Sequence, residues 1–197
     1  MNSAINAFRL NAERVQHLGG MYDALSGLMT SAIDSSDLLR AQIVLTVSAL
    51  DHFVHELTVQ GMLEIFDGVK PPTDAFRKYK ISAGLLLSSN AANRSAFEAD
   101  VREKHSFLSF QQPDKMADAI RLFYGKPLWS RVAAKMNKTE DAIKTQLRLI
   151  VDRRNKIAHE ADVDPSFPGA RWPIVRQDAA EALAFVVALC EAINATI

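Results

Sequence analysis

The sequence predicts an all-α protein, built as an up-and-down bundle of helices. Apolar residues recur three and four positions apart along most of the 197-residue chain, and no run alternates apolar and polar side chains as a half-buried strand would. Turn-forming residues separate the periodic segments, most clearly at Asp67-Gly68 and Pro71-Pro72. Because only helices are available to bury the apolar residues, the expected architecture is helix packed on helix.

The first two predicted helices are the longest of the N-terminal half. The first covers residues 4–28, and its weak point is Gly19-Gly20, where a bend costs little. The second covers residues 37–66 and follows the N-cap cluster Asp34-Ser35-Ser36. This second helix is expected to be the central one, because its apolar residues fall on a single stripe: Leu39, Ile43, Val47, Leu50, Val54 and Leu57.

Residues 73–110 are more polar than the flanking segments and contain two shorter helical patterns, at residues 74–87 and 92–110. We interpret this stretch as a helical insertion between the second helix and the helix that carries the motif described below. The whole chain, residues 1–197, is long enough to build one sizeable core, and we expect a single domain.

The remaining patterns are also helical. Pro113 and Pro127 each begin a short helix, since proline fits the first helical turn. Asn137 with Glu140 resembles a capping box and predicts the start of a long helix. A final helix is expected at residues 176–195, after a loop that contains three prolines.

Composition argues against several classes of protein. The chain has 23 Lys and Arg against 23 Asp and Glu, so its formal net charge is zero. This balance argues against an extended surface that binds nucleic acid or an anionic membrane non-specifically. Cys190 is the only cysteine, so one chain can form neither a disulfide nor a cysteine-based zinc site. The apolar run at residues 182–190 is too short to cross a bilayer, and Arg9 and Glu13 interrupt any signal peptide. We therefore expect a cytoplasmic protein with no membrane partner.

The segment Arg154-Asn155-Lys156-Ile157-Ala158-His159 places a guanidinium where the helical period requires a hydrophobe. The apolar stripe of this helix includes Ile150 and Ile157, and Arg154 falls close to its centre. Burying an unpaired guanidinium is costly, so an arginine on a packing face normally meets a partner, a ligand or a subunit interface.

His159 adds an imidazole, the side-chain type that titrates near neutral pH. On an ideal helix five residues turn through about 500°, so Arg154 and His159 diverge by about 140°. One straight helix cannot direct both side chains at one atom. Either the helix ends or kinks near Ala158, or the same segment of a second copy completes the site across a two-fold axis.

The surroundings of this segment are locally basic, as a phosphodiester site requires. Metal-free cleavage of RNA needs a base near the ribose 2′-OH, an acid near the leaving 5′-oxygen and a cation on the phosphorane. Arg154 and His159 can supply these groups as catalytic residues, with no cofactor. The residues expected to bind the substrate are Asn155, Lys156, Arg153 and Arg148.

Arg154 and His159 together resemble the R-x(4–6)-H signature of the HEPN superfamily of all-α proteins, many of them RNA-cleaving toxins or defence ribonucleases. Two longer runs look like the branch called RiboL-PSP-HEPN: DRRNKIAHEAD at residues 152–162 and SALDHFVHEL at residues 48–57. The resemblance covers the first two helices and the chain from about residue 131 onward, and it leaves out the insertion.

This resemblance implies a HEPN-like bundle that forms a homodimer through its motif helices. Two arginine–histidine pairs would then line one RNA cleft, with no metal, and Arg154 and His159 would take the catalytic positions. An antitoxin or a neighbouring regulatory protein is a further expected partner. Asp51 and His55 share a face of the second helix and are expected to support the site; His52 and His55 lack a third ligand for a metal.

Three other interpretations stay open. Arg154 can pair with Asp51 as a purely structural ion pair. The chain can also be a HEPN-type interaction or RNA-binding domain that does not cut. Finally, residues 128–136 followed by the helix from Glu140 resemble a DNA-binding helix-turn-helix, although the second helix carries a long apolar stripe.

Overall fold

A computed structural model describes residues 2–28, 34–87, 94–167 and 169–197. Within these ranges all regular structure is helical, apart from an isolated bridge between Val163 and Arg171. The predicted all-α class is confirmed. The helices in chain order are α1 (Asn2–Ser26), α2 (Ser36–Phe66), α3 (Asp74–Arg77), α4 (Gly84–Leu87), α5 (Arg94–His105), α6 (Pro113–Arg121), α7 (Leu128–Met136), α8 (Glu140–His159) and α9 (Arg176–Asn194).

Helix α2 is the central helix, as its apolar stripe predicted. All six residues of that stripe are buried, from 0% exposed at Leu39 to 3% at Ile43. Helices α1, α8 and α9 pack against α2, and α1 also packs against α9. These four helices enclose the main core, in which Leu50, Phe53 and Leu57 are fully buried. The position of α2 therefore fixes the positions of the other long helices.

Helix α1 is continuous through Gly19-Gly20, where the sequence indicated a weak point. The guanidinium of Arg176 lies against Gly19, and a Cβ at this residue would stand 2.6 Å from the guanidinium carbon. No bend occurs at Gly19, and the space above it is occupied by the movable end of the Arg176 side chain.

The residues of the predicted insertion pack at one end of α2. Val59 and Met62 of α2 form a second apolar cluster with Phe97 and Val101 of α5. The ring of Phe97 also stacks on Phe66, with 4.7 Å between the ring centroids. This part of the chain is thus held by α2 and has its own small core.

Two details of the predicted insertion were wrong. The continuous helix expected over residues 74–87 is divided, because α3 ends at Arg77 and α4 begins at Gly84. The amide of Ser82 instead donates to Asp100 at 3.3 Å, and its hydroxyl contacts the same carboxylate. The helix expected over residues 92–110 is α5, which ends at His105; its predicted start at Ala92 lies outside the described residues.

The turn between α7 and α8 is built differently from the predicted capping box. Asn137 adopts a left-handed conformation, with φ 50°, and closes α7. This conformation is one that asparagine tolerates better than most residues. Thr139 is the N-cap of α8, and its hydroxyl accepts from the amide of Ala142 at 3.2 Å. The predicted cap was therefore misplaced by two residues.

Helix α9 closes the bundle and contains Cys190. This thiol is buried among apolar residues, and burial raises its pKa well above the ordinary value. Among the helices of the described ranges, none combines the length and the apolar character that a bilayer span requires.

Candidate functional site

The predicted motif lies at the C-terminal end of α8. Ile150 and Val151, one turn before it, are buried in the core shared with α2. The helix continues to His159 and ends there. Ala161 and Asp162 then adopt left-handed conformations, with φ 50° and 59°, so the chain turns away from the helix axis directly after the histidine.

Arg154 lies on the packing side of α8, as the helical period predicted. Its neighbours on that side are Ile150, which is 9% exposed, and the half-buried Ile157. Arg154 itself is half-buried, and within the described part of the chain it makes no hydrogen bond or ion pair. The structure thus leaves its donors available to a group outside this chain.

Arg153, the adjacent residue, is held by Asp162. Its Nη1 and Nη2 donate to the two carboxylate oxygens at 2.5 and 2.9 Å. Arg40 of α2 reaches the same carboxylate, with its Nε 2.6 Å from Oδ2. The side chains of Asp162 and Arg40 are only 1% and 8% exposed. We name Arg40, Arg153 and Asp162 the arginine–aspartate cluster; its geometry favours a structural role for Arg153 over substrate binding.

The arginine–aspartate cluster fixes the end of α8. The amide of Asp162 donates to the Lys156 carbonyl at 3.0 Å, and the carbonyl of Asp162 accepts from the Trp172 amide at 2.8 Å. The Trp172 carbonyl in turn accepts from Arg40 at 2.9 Å. These bonds join α2, the end of α8 and the following loop, so the position of His159 depends on them.

His159 and Asn155 lie on the accessible part of the motif. His159 is exposed, Asn155 is half-buried, and neither has a hydrogen-bond partner among the residues that the structure describes. α8 ends at His159, one residue beyond Ala158, but His159 is still part of the helix, so the helix end does not turn its side chain toward that of Arg154. The side chains of Arg154 and His159 in one chain therefore diverge by about 140°, and their Cα positions are separated by about 7.5 Å along the axis.

Two other basic residues expected to bind substrate are exposed on α8. The Lys156 ammonium lies over the ring of Trp172, 5.1 Å from its centroid. Arg148 is 3.8 Å from Asp114, in a pair whose side chains are 47% and 83% exposed. Solvent screening makes such an exposed pair weak, so Arg148 can exchange its present contact for a phosphate, and the Lys156 ammonium is exposed and has no anionic partner among the described residues.

Asp51 and His55 lie on α2 and support a different segment. The Asp51 carboxylate accepts from the Phe110 amide at 2.6 Å and from Gln111 at 3.2 Å. The His55 ring packs on Phe110, 4.4 Å between centroids, and its Nε2 is 3.9 Å from Asp51. The structural ion pair of Arg154 with Asp51, one of the open interpretations, is not formed. Asp51 and His55 instead anchor the segment after α5 to α2.

A depression of about 520 Å³ lies beside the motif, between α2 and the end of α8. Its apolar lining includes Val44, Leu45 and Ile157, and Leu45 is 46% exposed. Arg171 stands at its edge, where a hydrogen bond with Asp37 raises the pKa of the guanidinium. An apolar surface next to an arginine that no described residue pairs with is what a second subunit can cover.

The arginine–aspartate cluster was not anticipated from the sequence. One signal was present, because Arg40 directly follows Leu39 on a helix whose apolar face is well defined. The partner could not be named, since Asp162 is 122 residues away and lies in a loop. In the described ranges, no group of three or more His, Cys, Asp or Glu side chains is arranged to hold a metal ion.

Comparison with known proteins gave one family. The model of the RiboL-PSP-HEPN family matches residues 10–197 of the chain. Comparison with curated proteins and with solved structures gave no match. The family match also extends across residues 73–110, which the resemblance in the sequence left out.

Proposed function

Because the chain belongs to the RiboL-PSP-HEPN family, we propose that it is a metal-independent endoribonuclease of the toxin or defence type. Its site is formed across a homodimer by Arg154 and His159. The substrate is RNA, since the reaction uses the ribose 2′-OH as nucleophile. Asn155 and Lys156 contact the substrate, with Arg148 at the edge of the cleft.

The observation that carries this proposal is that the guanidinium of Arg154 pairs with none of the described residues. Arg153 and Arg154 are adjacent, yet the first has four hydrogen bonds to Asp162 and to two carbonyls and the second has none to any described residue. A half-buried cation without a partner is unfavourable in the isolated chain. A bound phosphate would supply the partner that Arg154 lacks.

In this proposal a second subunit brings Arg154 and His159 close together. Arg154 and His159 diverge within one helix, whereas two copies of α8 related by a two-fold axis bring the arginine of one chain toward the histidine of the other. The apolar depression lined by Val44, Leu45 and Ile157 adjoins the motif and offers the surface for this contact. Two basic helix ends in one groove also strengthen the field that attracts a phosphodiester.

In the proposed reaction the 2′-oxygen attacks phosphorus and its proton passes to a general base. The bond from phosphorus to the 5′-oxygen breaks, and that oxygen takes a proton from a general acid. At each site one His159 imidazole accepts the proton of the 2′-OH and passes it to the 5′-oxygen, and Arg154 of the other subunit stabilises the negative charge of the phosphorane. The products are a 2′,3′-cyclic phosphate and a 5′-hydroxyl, so atoms and charges balance without an external reactant.

The proposal is tested by cleavage of a labelled RNA with EDTA present. We expect wild-type protein to produce 2′,3′-cyclic phosphate ends, and Arg154→Ala and His159→Ala to lose at least about a hundredfold in rate. The matched control is Arg121→Ala, which removes an arginine in an exposed pair with Asp118. Equal rates for wild type and Arg154→Ala, or no cleavage by wild type, would reject the nuclease function.

The two rival functions give different outcomes. A domain that binds RNA without cutting would retain salt-dependent RNA affinity and show no product. A helix-turn-helix protein would bind duplex DNA, but α8 has Ile143, Leu147 and Ile150 in the core, which leaves little of this helix to enter a groove. The structure therefore gives the DNA-binding interpretation less support.

The proposal also includes the setting of the protein. We place it in the cytoplasm, under the control of an antitoxin or neighbouring protein, and we treat residues 73–110 as an insertion within one domain. Fractionation of cells, co-purification of a neighbouring gene product and a single cooperative unfolding transition are the respective tests.

A further inference from the structure

A cleft on the face formed by α1, α2 and α9 is separate from the motif. Its volume is about 390 Å³, within the range of small-molecule sites. Its walls are mainly apolar and include Phe8 and Ala12 of α1 and Leu183 and Val187 of α9. None of these residues belongs to the site proposed above, so the inference below does not depend on the nuclease function.

The floor of the cleft contains a polar group without a partner. Gln42 of α2 lines the cleft and is 1% exposed, yet its Oε1 accepts no hydrogen bond from any described group. A buried unsatisfied amide is destabilising, whereas a leucine at this position would extend the apolar stripe of α2. The terminal torsion of glutamine is soft, so a rotation of the amide can present either end to a molecule in the cleft.

The charges around the cleft leave one carboxylate free. Arg9 donates to Glu191 at 2.7 and 2.8 Å, and Arg176 donates to Asp23 at 3.0 and 3.1 Å. Glu13 also lines the cleft, and in the part of the chain that the structure describes it has no ion pair or hydrogen bond. Of the three charged residues that line the cleft, Glu13 is therefore the one whose charge has no counter-ion among the described residues.

From this geometry we infer that the cleft binds a small organic cation, an ammonium attached to an apolar body. The apolar body contacts Phe8 and Leu183, and the ammonium, which has three N–H donors, pairs with Glu13 and donates to Oε1 of Gln42. A ligand of this class satisfies both groups, which have no partner among the described residues. An anion of the same shape would face Glu13 and bind less well.

The test uses three probes of similar shape: 2-phenylethylamine as the cation, 2-phenylethanol as the neutral analogue and phenylacetate as the anion. Backbone amide resonances of the full chain are followed by NMR titration. We expect the amine to shift resonances of α1 and α9 around the cleft in a saturable manner, with a dissociation constant of about a millimolar. Phenylacetate is expected to bind at least about tenfold more weakly.

Two variants locate the binding. Gln42→Leu and Glu13→Gln should each weaken amine binding by about tenfold, and Gln42→Leu should raise the Tm of the free protein by a few degrees. Gln42→Met serves as a second variant that keeps the length of the side chain. The matched controls, Gln177→Leu and Glu181→Gln on the surface of α9, should bind the amine like wild type.

Three results would overturn the inference: no saturable shift with the amine, equal affinity for amine and phenylacetate, or wild-type affinity in the Gln42 and Glu13 variants. RNA cleavage is not part of the readout. Failure of this inference is thus distinguishable from failure of the proposed function.

Discussion

Asp162→Asn removes the charge of the arginine–aspartate cluster and keeps the shape of the side chain. The change leaves two cations without their carboxylate, of which Arg40 is 8% exposed and Arg153 is 22% exposed. Removing one partner of a buried ion pair costs roughly 3–5 kcal/mol. Arg40 retains the Ser36 hydroxyl and the Trp172 carbonyl as acceptors, so we expect the lower end of this range, about 3 kcal/mol.

Asparagine is the suitable replacement because Asp162 has a left-handed backbone, with φ 59°. Asparagine tolerates this conformation, so the loss reports the missing charge rather than backbone strain. In a chain of this length, about 3 kcal/mol corresponds to a decrease in Tm of roughly 6–12 °C. Urea unfolding at pH 7, followed by circular dichroism, measures the free energy of unfolding directly.

The matched control is Asp118→Asn. Asp118 pairs with Arg121, and the two side chains are 60% and 61% exposed, so solvent screens the pair and we expect a loss below about 1 kcal/mol. If Asp162→Asn unfolds at the same urea concentration as Asp118→Asn, the cluster does not hold the end of α8 in the way described above.

Three further predictions follow from single residues. Gly61→Ala should lower the free energy of unfolding by about 1–3 kcal/mol, because its Cβ would stand 2.2 Å from the Phe123 ring. The control Gly20→Ala, whose Cβ would have nothing within 4 Å, should raise the free energy of unfolding by about 0.5 kcal/mol. Equal urea midpoints for the two variants would contradict the packing argument. Burial lowers the pKa of His105 from 6.5 to about 4, so between these pH values the unfolded chain binds more protons and the free energy of unfolding falls as the pH falls. His105→Gln should make the free energy of unfolding, measured by urea titration, depend less on pH in this range. The same pH dependence in the variant and in wild type would contradict the prediction. Arg154→Leu should keep or raise the urea midpoint, since no contact with a described residue is broken, and it should abolish RNA cleavage. A clearly lower urea midpoint would show that Arg154 has a structural role.

The long helices could be predicted from the sequence because their signal is local. Every apolar residue of the α2 stripe is buried, and the same periodicity placed Arg154 on the packing side of α8. These conclusions need only the helical period and the cost of burying a charge, and both can be evaluated within one segment.

Features that depend on distant contacts could not be predicted. Nothing near Arg153 in the sequence indicates that it shares Asp162 with Arg40. The division between α3 and α4 likewise depends on Ser82 meeting Asp100 of α5, a tertiary contact that overrides the local helical pattern. In both cases the decisive partner is known only once the chain has folded.

The composite site is tested most directly by mixing two inactive variants. Arg154→Ala and His159→Ala proteins are unfolded together, refolded as a 1:1 mixture and assayed for RNA cleavage. A heterodimer has one site with both residues intact if each site takes its arginine and histidine from different chains, so the mixture should recover about a quarter of the wild-type rate. A mixture as inactive as either variant alone, beside active wild type, would contradict a site shared between two subunits.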